Sequence, residues 1–305
     1  MTDQSLPSHH SPGEDPMGSY PNETMRLLME RGSLRQFTDE IIPADVLHQI
    51  LAAGVQAASG GNLQPFSIIQ TEDEDTRKKL ANWLGQSFIG KAPVLLTFCI
   101  DLRRLQRWAK LDHAPFTADH SFRHFWISFQ DTIIAAQNIC TAADALGLGS
   151  VYIGSVLEYF RELKELFDLP QGVFPVVLLC LGYPEERPQP RTKLPVDVIV
   201  HKERYQELAD QTLLEVYGKK YAGQTYEITD KRMESFTQVC TDVGGEAFAQ
   251  ECIKAVQEAG HFNQVQRYFG LHYRANVMAE DNPEYLQTLA DLGFYWMHEY
   301  KKFGE

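Results

Sequence analysis

A chain of 305 residues with 44% hydrophobic and 23% charged side chains can bury a full core, which excludes a disordered or low-complexity polypeptide. Its formal net charge of -13 repels phosphate backbones and anionic lipid, and no run of Lys and Arg interrupts that field, so neither nucleic acid nor a membrane surface is expected as a partner. No apolar run approaches the roughly 20 residues that span a bilayer, and no basic segment followed by an apolar one opens the chain.

Residues 1–21 are rich in Ser, Pro, Gly and His and read as a flexible tail, with His9 and His10 solvated rather than metal-bound. Asn22 is placed to cap a first helix that stops at Gly32, a residue suited to the position after a helix end. A second helix begins near Pro43 with Leu47, Ile50, Leu51 and Gly54 on one face; Ser59-Gly60-Gly61-Asn62 breaks it before a strand from Phe66 to Gln70. A polar helix over 73–84, a strand from Val94 to Ile100 and a long Ala- and Ile-rich helix from Phe129 to Leu146 follow. Strands Ser150 to Gly154 and Phe174 to Leu181 then flank an amphipathic helix near 157–167. Beyond residue 206 the pattern is helical. The expected organisation is a tail over 1–21, a mixed core over 22–205 and a helical extension over 206–305 that either packs as a subdomain or embraces another subunit. Cys99, Cys140, Cys180, Cys240 and Cys252 form no C-x-x-C pair, so reduced thiols and a cytoplasmic location are expected.

Two segments carry chemistry. Arg31-Gly32-Ser33-Leu34-Arg35-Gln36-Phe37 places two guanidinium groups and a hydroxyl at a helix end, where they either hold an anion or are surface arginines near Glu30. In Ser59-Gly60-Gly61-Asn62-Leu63-Gln64-Pro65-Phe66 the glycines permit close backbone approach, while Asn62 and Gln64 are able to read a polar heterocyclic edge. The other reading is a helix-to-strand turn without a ligand.

Taken in order, these segments resemble the N-terminal signature of the nitroreductase family, in its branch of NADPH-dependent nitro and flavin reductases. The resemblance continues through Leu84-Gly85-Gln86, the strand ending at Asp101, the helix Gln130 to Asn138, Leu146 to Ser155, Leu181-Gly182-Tyr183-Pro184, Pro190 to Pro195 and Val200 to Tyr205. It covers roughly residues 23–205. It implies an α+β fold, with a central, mostly antiparallel sheet flanked by helices, in an intertwined homodimer. It implies FMN, with Arg31, Arg191 and Lys193 around the phosphate, and Gly32 and Ser33 beside them. Arg35 and Gln86 then donate toward the ribityl chain or the pyrimidine edge, and Tyr152, Ile153, Gly154 and Ser155 line the ring. Ser59, Gly60, Asn62 and Gln64 reach the same flavin from the partner subunit. The implied activity is ping-pong transfer of electrons from NADPH or NADH to nitroaromatics, quinones or free flavins, with the redox chemistry carried by FMN and no catalytic side chain. The chain departs from the family pattern in the order of Arg191 and Lys193, in Phe66 where tryptophan is common, and in Gly60-Gly61.

Three other signals fail on chemistry. Gly147-Leu148-Gly149 with Gly154 follows a helix and precedes a strand, the reverse of a dinucleotide fingerprint. His113, His120 and His124 lack the carboxylate partner and spacing of a metal site. Phe122, Phe125, Trp126 and Phe129 read as core or dimer interface. The alternatives to a general reductase are an FMN-binding redox sensor, a flavin-storage protein, or a dehalogenase-like reductase on the same fold.

Overall fold

The computed structural model describes residues 20–302, so the expected tail, with His9 and His10, lies outside it save for Tyr20 and Pro21. Contacts divide the chain into two units: one formed by the chain up to Pro190 together with the segment from Thr288 onward, the other by Arg191–Gln287.

In the first unit, helix α1 (Glu23–Glu30) is capped by Asn22, whose Oδ1 accepts the Met25 N–H at 3.0 Å. Its end differs from expectation. Arg31 leaves the helix at φ -59°, ψ 128°, and Gly32 does not adopt a left-handed conformation. Glycine is required at 32 for closeness instead, because a Cβ there would stand 2.8 Å from the Pro188 carbonyl oxygen and 2.9 Å from its Cγ. Gly32→Ala is therefore expected to cost about 1–3 kcal/mol through overpacking. Urea denaturation measures it, and an unshifted midpoint would contradict the contact.

Helix α2 (Ala44–Val55) starts directly after Pro43 and buries Leu47, Ile50 and Gly54. Then come β1 (Phe66–Thr71), α3 (Glu74–Trp83) and a short α4 (Phe88–Lys91), with Asp73 capping α3 at the Thr76 N–H. Strand β2 (Val94–Asp101) passes straight into α5 (Leu102–Leu111), and α6 (Phe122–Ala145) begins at Phe122 rather than Phe129, since Ser121 caps it. After β3 (Gly149–Ile153), the expected helix near 157–167 divides into a 3-10 turn at Ser155–Glu158 and α7 (Phe160–Leu166), before β4 (Val173–Gly182).

The four strands form one sheet in the order β1-β2-β4-β3, every pair antiparallel, as the α+β reading expects. β2 and β4 are central and buried along their whole lengths, which explains their unbroken apolar runs. Strand alternation sorts the side chains onto two faces. Leu95, Leu178, Cys180, Val151 and Ile153 share one cluster with Leu80 of α3, Leu84 just after it, Ile89 of α4 and Leu163 of α7. On the opposite face Phe66 and Ile68 pack with Ala57 and with Ala135 of α6, and Ile68 pairs directly with Phe98. α6 crosses all four strands on that side. Gly54 lets α2 settle on it, since a Cβ at 54 would meet Ile139 Cδ1 at 2.6 Å.

The second unit is helical: α8 (Val196–Ile199), α9 (Asp210–Lys220), α10 (Asp230–Ala259), α11 (Gln264–Gln266) and a π turn at Arg267–His272, with α12 (Asn282–Asp291) beginning in it. Tyr226 and Phe262 form an antiparallel bridge. Among the described residues no helix is long and apolar enough to cross a membrane.

Candidate functional site

The segment after α1 is laid along the edge strand β3. The Leu34 N–H donates to the Ser150 carbonyl at 3.0 Å, and Ser33 bridges Ser150 in parallel. On its other side the Thr38 N–H donates to the Tyr183 carbonyl at 2.9 Å and the Glu185 N–H to the Gln36 carbonyl at 3.1 Å. Leu34 and Phe37 are buried and anchor the segment, which leaves Ser33 and Arg35 exposed. Gly149 permits the approach, because a Cβ there would stand 2.7 Å from Leu34 Cδ2.

Arg31 stands at the start of this segment. Its Nη2 donates to Ser150 Oγ at 3.3 Å, and its Nε lies 3.7 Å from Asp144 Oδ2, too far for a hydrogen bond. Arg187 flanks the same carboxylate at 3.5 Å while donating to the Leu148 carbonyl at 2.7 Å. Burial raises the Asp144 carboxyl above its ordinary value, with Arg31 and Arg187 pulling it back. The Tyr152 hydroxyl is raised too, chiefly by burial. Arg31 Nε and Ser155 Oγ are buried without a hydrogen-bond partner, and the Tyr152 hydroxyl faces the Cys140 thiol, a weak partner at best. Unpaired buried donors are costly, and donors beside a guanidinium call for an oxygen-rich acceptor, ideally an anion.

Arg35 extends over the Phe88 ring at 5.8 Å, which brings it to the segment that carries Gln86. Phe88 packs against the cluster containing Val151 and Ile153, so Arg35 and the segment that carries Gln86 approach the strand beside which Arg31 and Ser33 lie. Nothing stands within 4 Å of a Cβ placed on Gly154. Arg191 and Lys193 lie in the second unit and are exposed.

The loop of Ser59, Gly60, Asn62 and Gln64 is held separately. The Gly60 N–H donates to both carboxylate oxygens of Asp131 at 3.1 and 3.0 Å, and the Gln64 N–H to Ser59 Oγ at 3.1 Å. The Gln64 side-chain amide donates to the Val55 carbonyl at 2.7 Å. Gly61, Asn62 and Gln64 all have positive φ, at 59°, 57° and 48°, a conformation glycine adopts freely and asparagine tolerates. Among the described residues no hydrogen bond joins this loop to the Arg31–Arg35 segment. A cavity of about 340 Å³ lined by Val55, Phe66, Ser67 and Arg104 adjoins it.

Asp131 escaped the sequence reading as a functional residue. Its signal was a carboxylate set, like Asp144, among the apolar residues of α6, and its partner lies 71 residues away. Burial raises its pKa, with the Gly60 N–H acting the other way. A carboxyl raised in the folded state contributes most below its unfolded value and loses that contribution as pH climbs through the folded one. Asp131→Asn should therefore gain on the natural protein as pH rises from about 4 to 7, the ordinary carboxyl lying near 3.9. Denaturation at both ends of that window tests it; a difference moving the other way would contradict the buried charge.

His120 stacks on Tyr295 at 5.0 Å, and His124 Nδ1 sits 3.0 Å from Ser121 Oγ.

Comparison with known proteins gives a consistent result. The model of the nitroreductase family matches residues 28–183. The chain is 33% identical to an NADPH-flavin oxidoreductase of Vibrio harveyi over 226 residues, covering 69% of this chain and 91% of that one. It is 34% identical to an oxygen-insensitive NADPH nitroreductase of Salmonella typhimurium over 200 residues, covering 65% and 81%. The solved NADPH:FMN oxidoreductase of Vibrio harveyi in complex with NAD+ superposes with a TM-score of 0.64 at 26% identity, over 90% of this chain and 99% of the other.

Proposed function

The chain belongs to the nitroreductase family, and from that premise we propose that it is an FMN-dependent NAD(P)H oxidoreductase acting on nitroaromatics, quinones or free flavins. The observation that carries the cofactor reading is the pair of buried polar atoms without a hydrogen bond, Arg31 Nε beside β3 and Ser155 Oγ in the turn after it, with Arg35 exposed nearby. FMN offers a dianionic phosphate for such donors and a ring that accepts hydride and passes electrons on.

In this reading Arg31, with Ser33 beside it, holds the phosphate, and Gly32 lets the strand-edge segment pack close. Arg35 and Gln86 donate toward the ribityl chain or the pyrimidine edge, where positive charge favours the electron-rich ring. Tyr152, Ile153, Gly154 and Ser155 offer backbone along the ring. Arg191 and Lys193 enter the proposal on the sequence resemblance alone.

The loop of Ser59, Gly60, Asn62 and Gln64 completes the site from the partner subunit of a homodimer. Two features support that assembly. The loop is tied to α6 through Gly60 and Asp131, with no hydrogen bond to the Arg31 segment among the described residues, and α6 displays exposed Phe122, Trp126 and Phe129 at i, i+4 and i+7. NADPH is the donor we expect, after the names of the relatives, and the free cysteines suit a reducing compartment, the cytoplasm. Steady-state rates at varied NADPH and quinone test the scheme. Parallel double-reciprocal lines are expected for donor and acceptor taking turns at one site; intersecting lines would require both to be bound together.

A further inference from the structure

Helix α10 is a hairpin rather than a rod. Gly245, at φ 79° and ψ 177°, breaks it into two arms. A straight helix would hold residues 240 and 252 about 18 Å apart. Here the arms fold back, and residues equally distant from Glu246 meet. A Cβ on Gly244 would stand 2.4 Å from the Phe248 ring. Phe236 and Cys240 of the first arm share a buried cluster with Ala249 and Val256 of the second, and Cys252 packs against it. At the middle of this series the Cys240 and Cys252 side chains are neighbours in that cluster. Small residues at 244, 245 and 249 keep the arms close, as a disulfide between facing helices requires.

We propose that Cys240 and Cys252 form a reversible oxidation site that closes to a disulfide under a hydroperoxide and staples the hairpin of the second unit. The pair is asymmetric in a way that suits this chemistry. Cys240 is buried, and burial together with the neighbouring thiol pushes its pKa up to about 12, whereas Cys252 is partly exposed. Cys252 is therefore the sulfur reached first. Its thiolate attacks one oxygen of hydrogen peroxide, the O–O bond breaks, and hydroxide leaves a sulfenic acid. Cys240 then loses its proton and attacks the Cys252 sulfur, the S–O bond breaks, and water departs. Two thiols and one peroxide become one disulfide and two waters, and a dithiol reductant reverses the step. Cys99, Cys140 and Cys180 are fully buried and serve as internal controls.

The test is made on the full-length protein. After brief treatment with hydrogen peroxide and alkylation of free thiols, trypsin releases Met233–Lys254 with both cysteines in one peptide. The expected peptide is unalkylated and lighter by two hydrogens, returns to the dithiol form with dithiothreitol, and splits into a linked pair on cleavage after Glu246 and Glu251. Cys252→Ser, a partly exposed and conservative change, should abolish the cross-link. Sulfinic or sulfonic acid on Cys252 with Cys240 still alkylated would overturn the proposal, as would both thiols surviving unchanged or a link to any other cysteine.

Discussion

Replacing Arg31 by alanine is expected to weaken FMN binding by roughly 10–150-fold, the worth of a charge-assisted hydrogen bond of about 1.5–3 kcal/mol. The guanidinium is 21% exposed, fixed by Ser150 and flanked by a carboxylate that is 8% exposed, so it is preorganised with donors to spare. The fold should survive the change. Asp144 keeps Arg187 at 3.5 Å, so stability should fall by about 1 kcal/mol rather than the 3–5 kcal/mol of a fully orphaned buried charge. Arg31→Lys should fall between, because lysine restores the charge without the planar fork. Fluorescence titration of the apoprotein with FMN measures binding by both variants, and urea denaturation measures the stability. An alanine variant that binds FMN as tightly as the natural protein would remove Arg31 from the phosphate site.

A glutamate at Trp126 should separate the subunits and carry the activity away with them. Trp126 is 54% exposed on α6, midway along a stripe with Phe122 and Phe129, and among the described residues Phe122 stacks on Trp126 and Phe125, and Phe129 on Phe125. Aromatic residues at the centre of an interface commonly contribute about 2–4 kcal/mol each, so self-association should weaken by roughly 30–1000-fold. The Ser59–Gln64 loop would then no longer meet its flavin, and FMN-dependent turnover should drop in parallel. Sedimentation velocity and rates read at matched concentrations decide it. A dimeric Trp126→Glu protein would move the interface elsewhere, and a fully active monomer would remove the partner's loop from the site.

Much of the fold was legible because its signals are local. The apolar runs of β2 and β4, the Asn22 cap and the Pro43 entry into α2 each state their structure within a few residues. Elements without such punctuation were harder to read. α5 follows β2 with no Gly or Pro between, because Asp101 both ends the strand and caps the helix through its Oδ1 to the Arg104 N–H. The first turns of α6 are rich in aromatic residues, which are indifferent helix formers, and only the Ser121 cap marks the start. The break in α10 hides in a Gly-Gly pair inside an otherwise continuous helical pattern.

The candidate site divides along the same line. The residues placed on the Arg31–Arg35 segment, Gln86 and the 152–155 run come from motif resemblance. What fixes them is tertiary and left no mark nearby in sequence: Pro188 against Gly32, Leu34 against Gly149, Arg187 on the carboxylate of Asp144, and Asp131 on the Gly60 amide. Gly32 shows the difference most plainly. Its position after a helix suggested a left-handed cap, whereas its reason is the approach of a chain segment more than 150 residues away.

The most direct measurement is to load the purified protein with FMN and mix it with NADPH under anaerobic conditions while following visible absorbance. Rapid, complete bleaching of the flavin band, reversed by one equivalent of quinone, is the predicted result. FMN that binds but is reduced by neither NADPH nor NADH would contradict an oxidoreductase and leave a flavin-binding protein without turnover.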